Sequence, residues 1–316
     1  MNDIRNLLEI EYPIFQGAMA NIATGTFAAS VSNAGGLGLI ASGGFTPDGF
    51  REQIRIAKAL TEKPFGVNLM LMLPEIERYS EIAVEECVRV ITTGAGAPGK
   101  LLQTWKANGI KVFPVVPSVA LAKRMERNGV DGVIAEGTES GGHVGSTTTM
   151  ALLPQVCDAV SVPVIAAGGI ASGRQMLAAY AMGAAGIQVG TVLLASEECP
   201  IHENYKKAIL KAKDTDTAVT GYSVGAPVRC LKNRMTREYL EREASGATRE
   251  ELEMYTLGSL RRAVYDGDTE RGSLMAGQVA GQLHEIRAVK EIFSSMVMEY
   301  KAELKRLSDN SFFFEE

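Results

Sequence analysis

Short apolar runs alternate with longer amphipathic stretches from the first residues to about Thr191. The runs Pro13–Gly17, Gly36–Ala41, Phe65–Leu71, Val88–Gly94, Lys111–Val116, Gly132–Gly137, Pro163–Gly169 and Gly186–Thr191 are apolar on both faces. That is the pattern of strands buried in a parallel sheet. Between them, Asp48–Leu60, Glu75–Glu86, Ser118–Asn128 and Arg174–Met182 read as helices. Ser118 and Ser172 stand where N-caps are expected. Gly109, Gly129 and Gly183 stand where a left-handed residue ends a helix. Eight such units predict an α/β chain closed into a (β/α)8 TIM barrel, with a doubly wound open sheet as the structural competitor.

After about Ala212 the pattern changes. From Thr217 to Asp268 the chain is polar and is expected to be mostly helical, with charged runs such as Arg237–Glu243. The expected division is a barrel over 1–215, a small helical cap inserted over its mouth at 216–272, and a segment returning to the barrel at 273–316. At that boundary stands the small-residue stretch Gly272–Gln278. A final helix is expected over about Glu285–Leu307, from the spacing of Ile286, Val289, Ile292, Phe293, Met296 and Val297. The aromatic tail Ser311–Glu316 gives no reading.

Lys and Arg number 32 against 37 Asp and Glu, a net charge of −5. With aromatics at only 6%, this argues against a general polyanion or nucleic-acid binder and leaves room for a local basic patch. Cys87, Cys157, Cys199 and Cys230 include no Cys-x-x-Cys pair, which argues against a zinc site or a disulfide framework and predicts buried or half-buried thiols in a reducing cytoplasm. No basic segment leads into an apolar core at the N-terminus, and no apolar run reaches ~18 residues, so neither a signal peptide nor a membrane span is expected.

The chemistry concentrates at the strand ends. Gly94–Gly99 fits Gly-x-Gly-x-x-Gly, but the next strand ends Pro114-Val115-Val116-Pro117 without an acid to hold a ribose, so it reads as a barrel loop. Ala166–Gly173 after the seventh expected strand and Gln188–Thr191 after the eighth are glycine-rich and lack Lys or Arg. A phosphate there would rest on backbone N–H groups and a helix N-terminus, at the two loops where barrels usually bind one.

After the sixth strand comes Glu136-Gly137-Thr138-Glu139-Ser140-Gly141-Gly142-His143-Val144-Gly145. Of the three histidines, His202 and His284 read as structural or exposed. His143, framed by glycines, reads as the catalytic or substrate-positioning group, since an imidazole titrates near neutrality and can donate a proton. Gln16-Gly17-Ala18-Met19 suits one edge of an isoalloxazine ring. Asn68, inside an apolar strand, needs polar partners, which a flavin or a neighbouring strand's backbone could supply. Glu136 closes the sixth strand, where an acceptor could meet a ribityl or ring N–H.

Taken in order, Tyr12–Gly17, Lys63–Asn68, Thr92–Gly96, Pro114–Ala120, Ile134–Gly137, Gly141–Gly145, Pro163–Ile170, Gln188–Thr191 and Met275–Gln278 make the chain resemble the flavin-dependent enoyl-acyl-carrier-protein reductase II, over nearly its whole length. The neighbouring group is nitronate monooxygenase, which shares the fold and the Gly-Gly-His motif but usually carries Gln where Glu136 stands; Pro117–Lys123 also looks more like the reductase. The resemblance implies reduction of a trans-2-enoyl-acyl-carrier-protein with NADH or NADPH, the last step of the fatty-acid elongation cycle. Oxidation of alkyl nitronates by O2 is the alternative.

By the same analogy the cofactor is FMN. Gly141, Gly142, Gly168, Gly169, Gln188, Val189, Gly190 and Thr191 would hold its phosphate and ribityl chain. Gly17, Ala18, Met19, Asn68 and Glu136 would line its ring, and His143 would serve the substrate. The family also looks stimulated by monovalent cations, whose site the sequence does not place; no other metal is expected. Acyl carrier proteins are acidic, and Arg229, Lys232, Arg234 and Arg237 near Pro227 could form a basic docking face. A cytoplasmic homodimer without nucleic-acid or membrane partners is expected.

Overall fold

The computed structural model describes residues 3–309. All eight expected barrel strands are present: β1 (Ile14–Gln16), β2 (Gly38–Ala41), β3 (Phe65–Met70), β4 (Val90–Gly94), β5 (Lys111–Val116), β6 (Val133–Glu136), β8 (Val164–Ala167) and β9 (Gly186–Val189). They pair in parallel in the order β1-β9-β8-β6-β5-β4-β3-β2. Between β2 and β1 the ring closes through a bridge at Phe15 and Leu37: Leu37 N donates to Ile14 O (2.9 Å) and Gln16 N to Leu37 O (2.9 Å). One step further the Gln16 side chain replaces a backbone acceptor, its Oε1 taking the Leu39 N–H at 3.1 Å. The sheet is therefore a closed (β/α)8 TIM barrel, and the open-sheet competitor is excluded.

Alternation along each strand divides two cores. Phe15, Leu37, Leu39, Val90, Phe113, Ile134, Ile165 and Ala167 fill the barrel interior, where the Phe15 and Phe113 rings meet edge to face at 5.6 Å. Ile4, Leu8 and Ile10, from the helix Ile4–Leu8 and the turn after it, join this interior beside residues that begin strands. They plug the N-terminal end with apolar groups. The outward set, including Ile40, Val67, Ile91, Val112, Val133 and Ile187, packs against the surrounding helices. The helix Gly25–Asn33 lies so close to β2 that a Cβ on Gly38 would stand 1.9 Å from Ala28 O.

The helices begin close to where the sequence places them. Ser118 Oγ accepts from Leu121 N (3.3 Å) and Ser172 Oγ from Gln175 N (3.3 Å), both as N-caps. Gly109, Gly129 and Gly183 have φ of 73°, 89° and 98°. Loss of the Ser118 cap should be felt modestly: Ser118→Ala is expected to cost about 1 kcal/mol, read as a lower urea midpoint with an unchanged slope.

Two expectations need correction. The stretch 217–231 does not begin a helical cap. It is an antiparallel ribbon of β10 (Thr217–Thr220) and β11 (Val228–Leu231), and β7 (Gly142–His143) adds a third strand. Helices follow at Arg234–Ala244 and Arg249–Thr256, with a π-helical turn at Arg262–Asp266. The last helix begins at Val289 and not near Glu285. Arg287 bonds instead to the chain near Ser196, and the Glu198 carboxylate caps Val289 N at 3.0 Å. The tail 311–316 lies outside the described residues.

Candidate active site

At the C-terminal end of the barrel the inward positions turn polar. The register sets Asn68 beside Thr92, Thr92 beside Phe113, Glu136 beside Ala167, and Ala167 beside Gln188. Because Phe113 and Ala167 belong to the interior, Asn68, Thr92, Glu136 and Gln188 share its inner face. Asn68 Nδ2 donates to Thr92 Oγ1 at 2.9 Å. A barrel with an apolar floor and a polar rim of amides, a hydroxyl and a carboxyl presents one reactive end.

The phosphate-type loops meet this rim. Gly168 and Gly169 have φ of 90° and 76°, and a Cβ on Gly168 would stand 2.7 Å from Gly137 O. Both the left-handed backbone and the close approach of the β6 loop therefore require glycine there. The N–H groups of Gly168, Gly169, Ile170 and Gly190 donate to no protein acceptor among the described residues. The helix N-terminus behind them is already occupied: Gly173 N donates to the Glu299 carboxylate (2.6 Å), Ala171 N to Gln175 Oε1 (2.8 Å) and Gln175 N to Ser172 Oγ. The expected helix N-terminal anion site is thus capped from within, and the loop N–H groups before it are the free donors.

The loops after β1 and β9 also converge. Gly17 N donates to Val189 O at 2.7 Å, and the Met19 sulfur lies 3.8 Å from where a Cβ on Gly190 would be. Val189 does not face the rim, since its side chain packs among the outer core residues. Its position in the strand is one residue out of phase with Gln188. Thr191 Oγ1 accepts from Gly277 N (2.8 Å), tying the segment Met275–Gln278 across the barrel end. Tyr205 OH donates to Met275 O (2.8 Å) and Gln278 N to Glu139 O (2.9 Å). That segment runs against Gly141, whose Cβ would meet the Ala276 backbone at 2.7 Å.

Glu139 fixes the β6 loop. Its carboxylate accepts from Thr149 N (2.9 and 3.0 Å) and from Thr149 Oγ1 (2.9 Å), while Thr149 Oγ1 also reaches Gly168 O at 2.8 Å. The loop then extends into β7, where Gly142 pairs with Arg229 and His143 with Val228. His143 is thus pinned by its backbone to the ribbon, with an exposed ring. Partial enclosure lowers its pKa from the usual 6.5, favouring the neutral imidazole. Burial pushes the Glu136 carboxyl up to about 7. Ser140 Oγ and Gln16 Nε2 are sealed from solvent without a hydrogen-bond partner.

The rim thus gathers Met19, Asn68, Glu136, Gly168, Gly169, Gln188, Gly190 and His143 at one end of the barrel. Sequence reasoning missed Thr92 and Glu139 and set Arg229 on a docking face instead of beside the site. Strand alternation from Val90 could have found Thr92, whereas the other two depend on tertiary partners. The Gly94–Gly99 loop leads to the helix Leu101–Ala107 as an ordinary barrel connection. His202 Nδ1 caps a helix by accepting from Asn204 N (3.1 Å) and His284 is exposed. The expected basic face is not a single surface: Arg229 is buried and Arg234 pairs with Glu238 at 2.6 Å. All four cysteines are free, Cys87 being exposed where a buried or half-buried thiol was expected. Among the described residues no three His, Cys, Asp or Glu groups are placed to hold a metal, and no helix is long and apolar enough to cross a membrane.

Residues 2–299 match the nitronate monooxygenase family. The chain belongs to that family. Among curated relatives, a (3aS,4S,5R,7aS)-5-hydroxy-7a-methyl-1-oxo-octahydro-1H-indene-4-carboxyl-CoA dehydrogenase of Mycobacterium tuberculosis is 32% identical, over 96% of this chain and 97% of its own. A probable nitronate monooxygenase of Staphylococcus saprophyticus is 33% identical, over 75% of this chain and 80% of its own. The solved structure of FabK from Thermotoga maritima is 48% identical, covers 96% of this chain and 97% of that one, and superposes with a TM-score of 0.94. Membership makes this chain an oxidoreductase of the nitronate monooxygenase family, a group that contains members with differing reactions.

Proposed function

We propose that this chain is an FMN-dependent reductase of trans-2-enoyl thioesters carried on acyl carrier protein, using NADH or NADPH. The observation that carries the reading is the 48% identity to FabK across 96% of the chain, against 32–33% for the dehydrogenase and the probable monooxygenase. The rim fits the cofactor. Four unpartnered loop N–H groups suit a phosphate, and the polar ring of Asn68, Thr92, Glu136 and Gln188 suits the donors and acceptors of an isoalloxazine.

When bound, FMN supplies the hydride chemistry. The chain's own residues position and polarise. Gly168, Gly169, Ile170 and Gly190 hold the phosphate by backbone N–H, a site that needs no Lys or Arg. Asn68, oriented by Thr92, and Glu136 fix the ring, while Met19 covers one end. His143, held by the ribbon, would donate a hydrogen bond to the thioester oxygen as negative charge develops there, with the proton for the α-carbon drawn from solvent. The proposed macromolecular partner is the acidic carrier protein. With Arg229 buried and Arg234 paired, Lys232 and Arg237 are the exposed cations of the predicted cluster available to it. A homodimer is proposed, with a monovalent cation as an activator.

The family match and the staphylococcal relative favour a second reading, oxidation of alkyl nitronates by O2. Steady-state assays separate the two. The reductase reading expects nucleotide oxidation that depends on an enoyl thioester. Nitronate-dependent O2 uptake without nucleotide, together with no response to thioester, would replace it.

A further inference from the structure

A buried cation lies beside the site. Arg229, in β11, is 7% exposed. Its Nε donates to Thr138 O at 3.1 Å and its Nη1 to Thr217 Oγ1 at 3.0 Å. A guanidinium carries five N–H donors in a fixed fork, so most of its capacity is unspent. Nη2 has no acceptor among the described residues and is not sealed from solvent. No carboxylate forms an ion pair with Arg229 there. Glu139, the acid in its field, has both oxygens on Thr149. The lack of a close counter-charge lets burial lower the Arg229 pKa.

Tying Thr217 to the β6 loop does not need this charge, because a neutral amide can make two such bonds. A buried cation without a counter-charge is destabilising, and an incoming anion would offset that. Its location narrows the anion's identity. Arg229 pairs across the ribbon with Gly142, next to His143, at the barrel end that carries the polar rim. Guanidinium forks match phosphate oxygens in geometry and charge.

We propose that Arg229 anchors a phosphate ester of a substrate held beside His143. Resting on the reductase reading, the anion is either the phosphate of a phosphopantetheine-borne thioester or the pyrophosphate of the pyridine nucleotide. Losing a charge-assisted bond of this kind corresponds to about 10- to 100-fold in KM.

The test compares wild-type, R229M and R229K holoenzymes. Crotonyl thioesters of phosphopantetheine and of phosphate-free N-acetylcysteamine are assayed with NADH, alongside FMN retention. A carrier-arm site raises the KM of R229M about 10- to 100-fold for the phosphate-bearing thioester only, with kcat within about threefold and R229K between the two. A nucleotide site moves the NADH KM instead. An equal rise for both thioesters with the NADH KM unchanged, no rise anywhere, or loss of FMN would each overturn the proposal. A thermal shift with inorganic pyrophosphate is independent of turnover. Stabilisation of wild type but not of R229M supports the site even if no thioester is reduced, when the reductase reading alone fails. Equal shifts in both proteins would count against it.

Discussion

Replacing His143 with alanine is expected to lower enoyl-thioester turnover by about 10²-fold or more while FMN stays bound. The structure explains why the two effects should separate. The backbone of His143 belongs to the ribbon, paired with Val228, and its ring is exposed rather than packed in the core. Truncating the ring therefore removes a donor without opening a cavity. The free N–H groups proposed to hold the cofactor lie on other loops. The lowered pKa adds a pH signature. Neutral imidazole is the working donor, so activity should hold as pH falls through 6.5 and decline only below it. Near-normal turnover of a flavin-loaded His143→Ala protein would remove the residue from the mechanism.

Glu136→Gln should change the pH dependence of stability by an amount comparable to a whole core substitution. The carboxyl titrates near 7 in the fold against 4.5 when free. Between these values the folded chain keeps a proton that the unfolded chain releases. The folded state thus has an advantage that is complete below about 4.5 and is lost as pH rises through 7. Above pH 7 the buried carboxylate costs up to about 3 kcal/mol relative to low pH, from ~1.36 kcal/mol per unit. Glutamine does not ionise. The FMN-free variant should melt above wild type at pH 8, with the gap closing towards pH 5. Parallel melting curves at all pH values would show that burial does not hold the proton there.

The barrel was legible because each of its strands is doubly buried, and double burial writes an unbroken apolar run. Asn68 and Glu136 stood out for the converse reason, as polar groups interrupting or ending such runs, and His143 stood out by its frame of glycines in the loop that follows. The ribbon was not legible. β10 and β11 have four residues each, and their partner β7 is Gly142–His143, a pair with no local strand pattern. Only a contact between distant parts of the chain makes it a strand. The same holds for Glu299, which caps Gly173 from the last helix and so removes the helix N-terminus that local reading offered to a phosphate. The side chain of Val189 packs outward while its neighbour Gln188 takes the inward position, a parity that the short run Gln188–Thr191 does not reveal by itself. Arg229 read as surface charge because sequence alone cannot show the ribbon turning its side chain onto Thr138 O.

Binding of FMN at the rim and passage of reducing equivalents to an enoyl thioester can be read in one experiment. The purified protein is mixed anaerobically with NADH, or NADPH, and then with crotonyl thioester, while the visible flavin spectrum is followed. Bleaching by a nucleotide and recovery on adding the thioester are expected. A flavin that neither nucleotide bleaches but a nitronate does, or a bleached flavin that the thioester leaves reduced, would contradict the reductase reading.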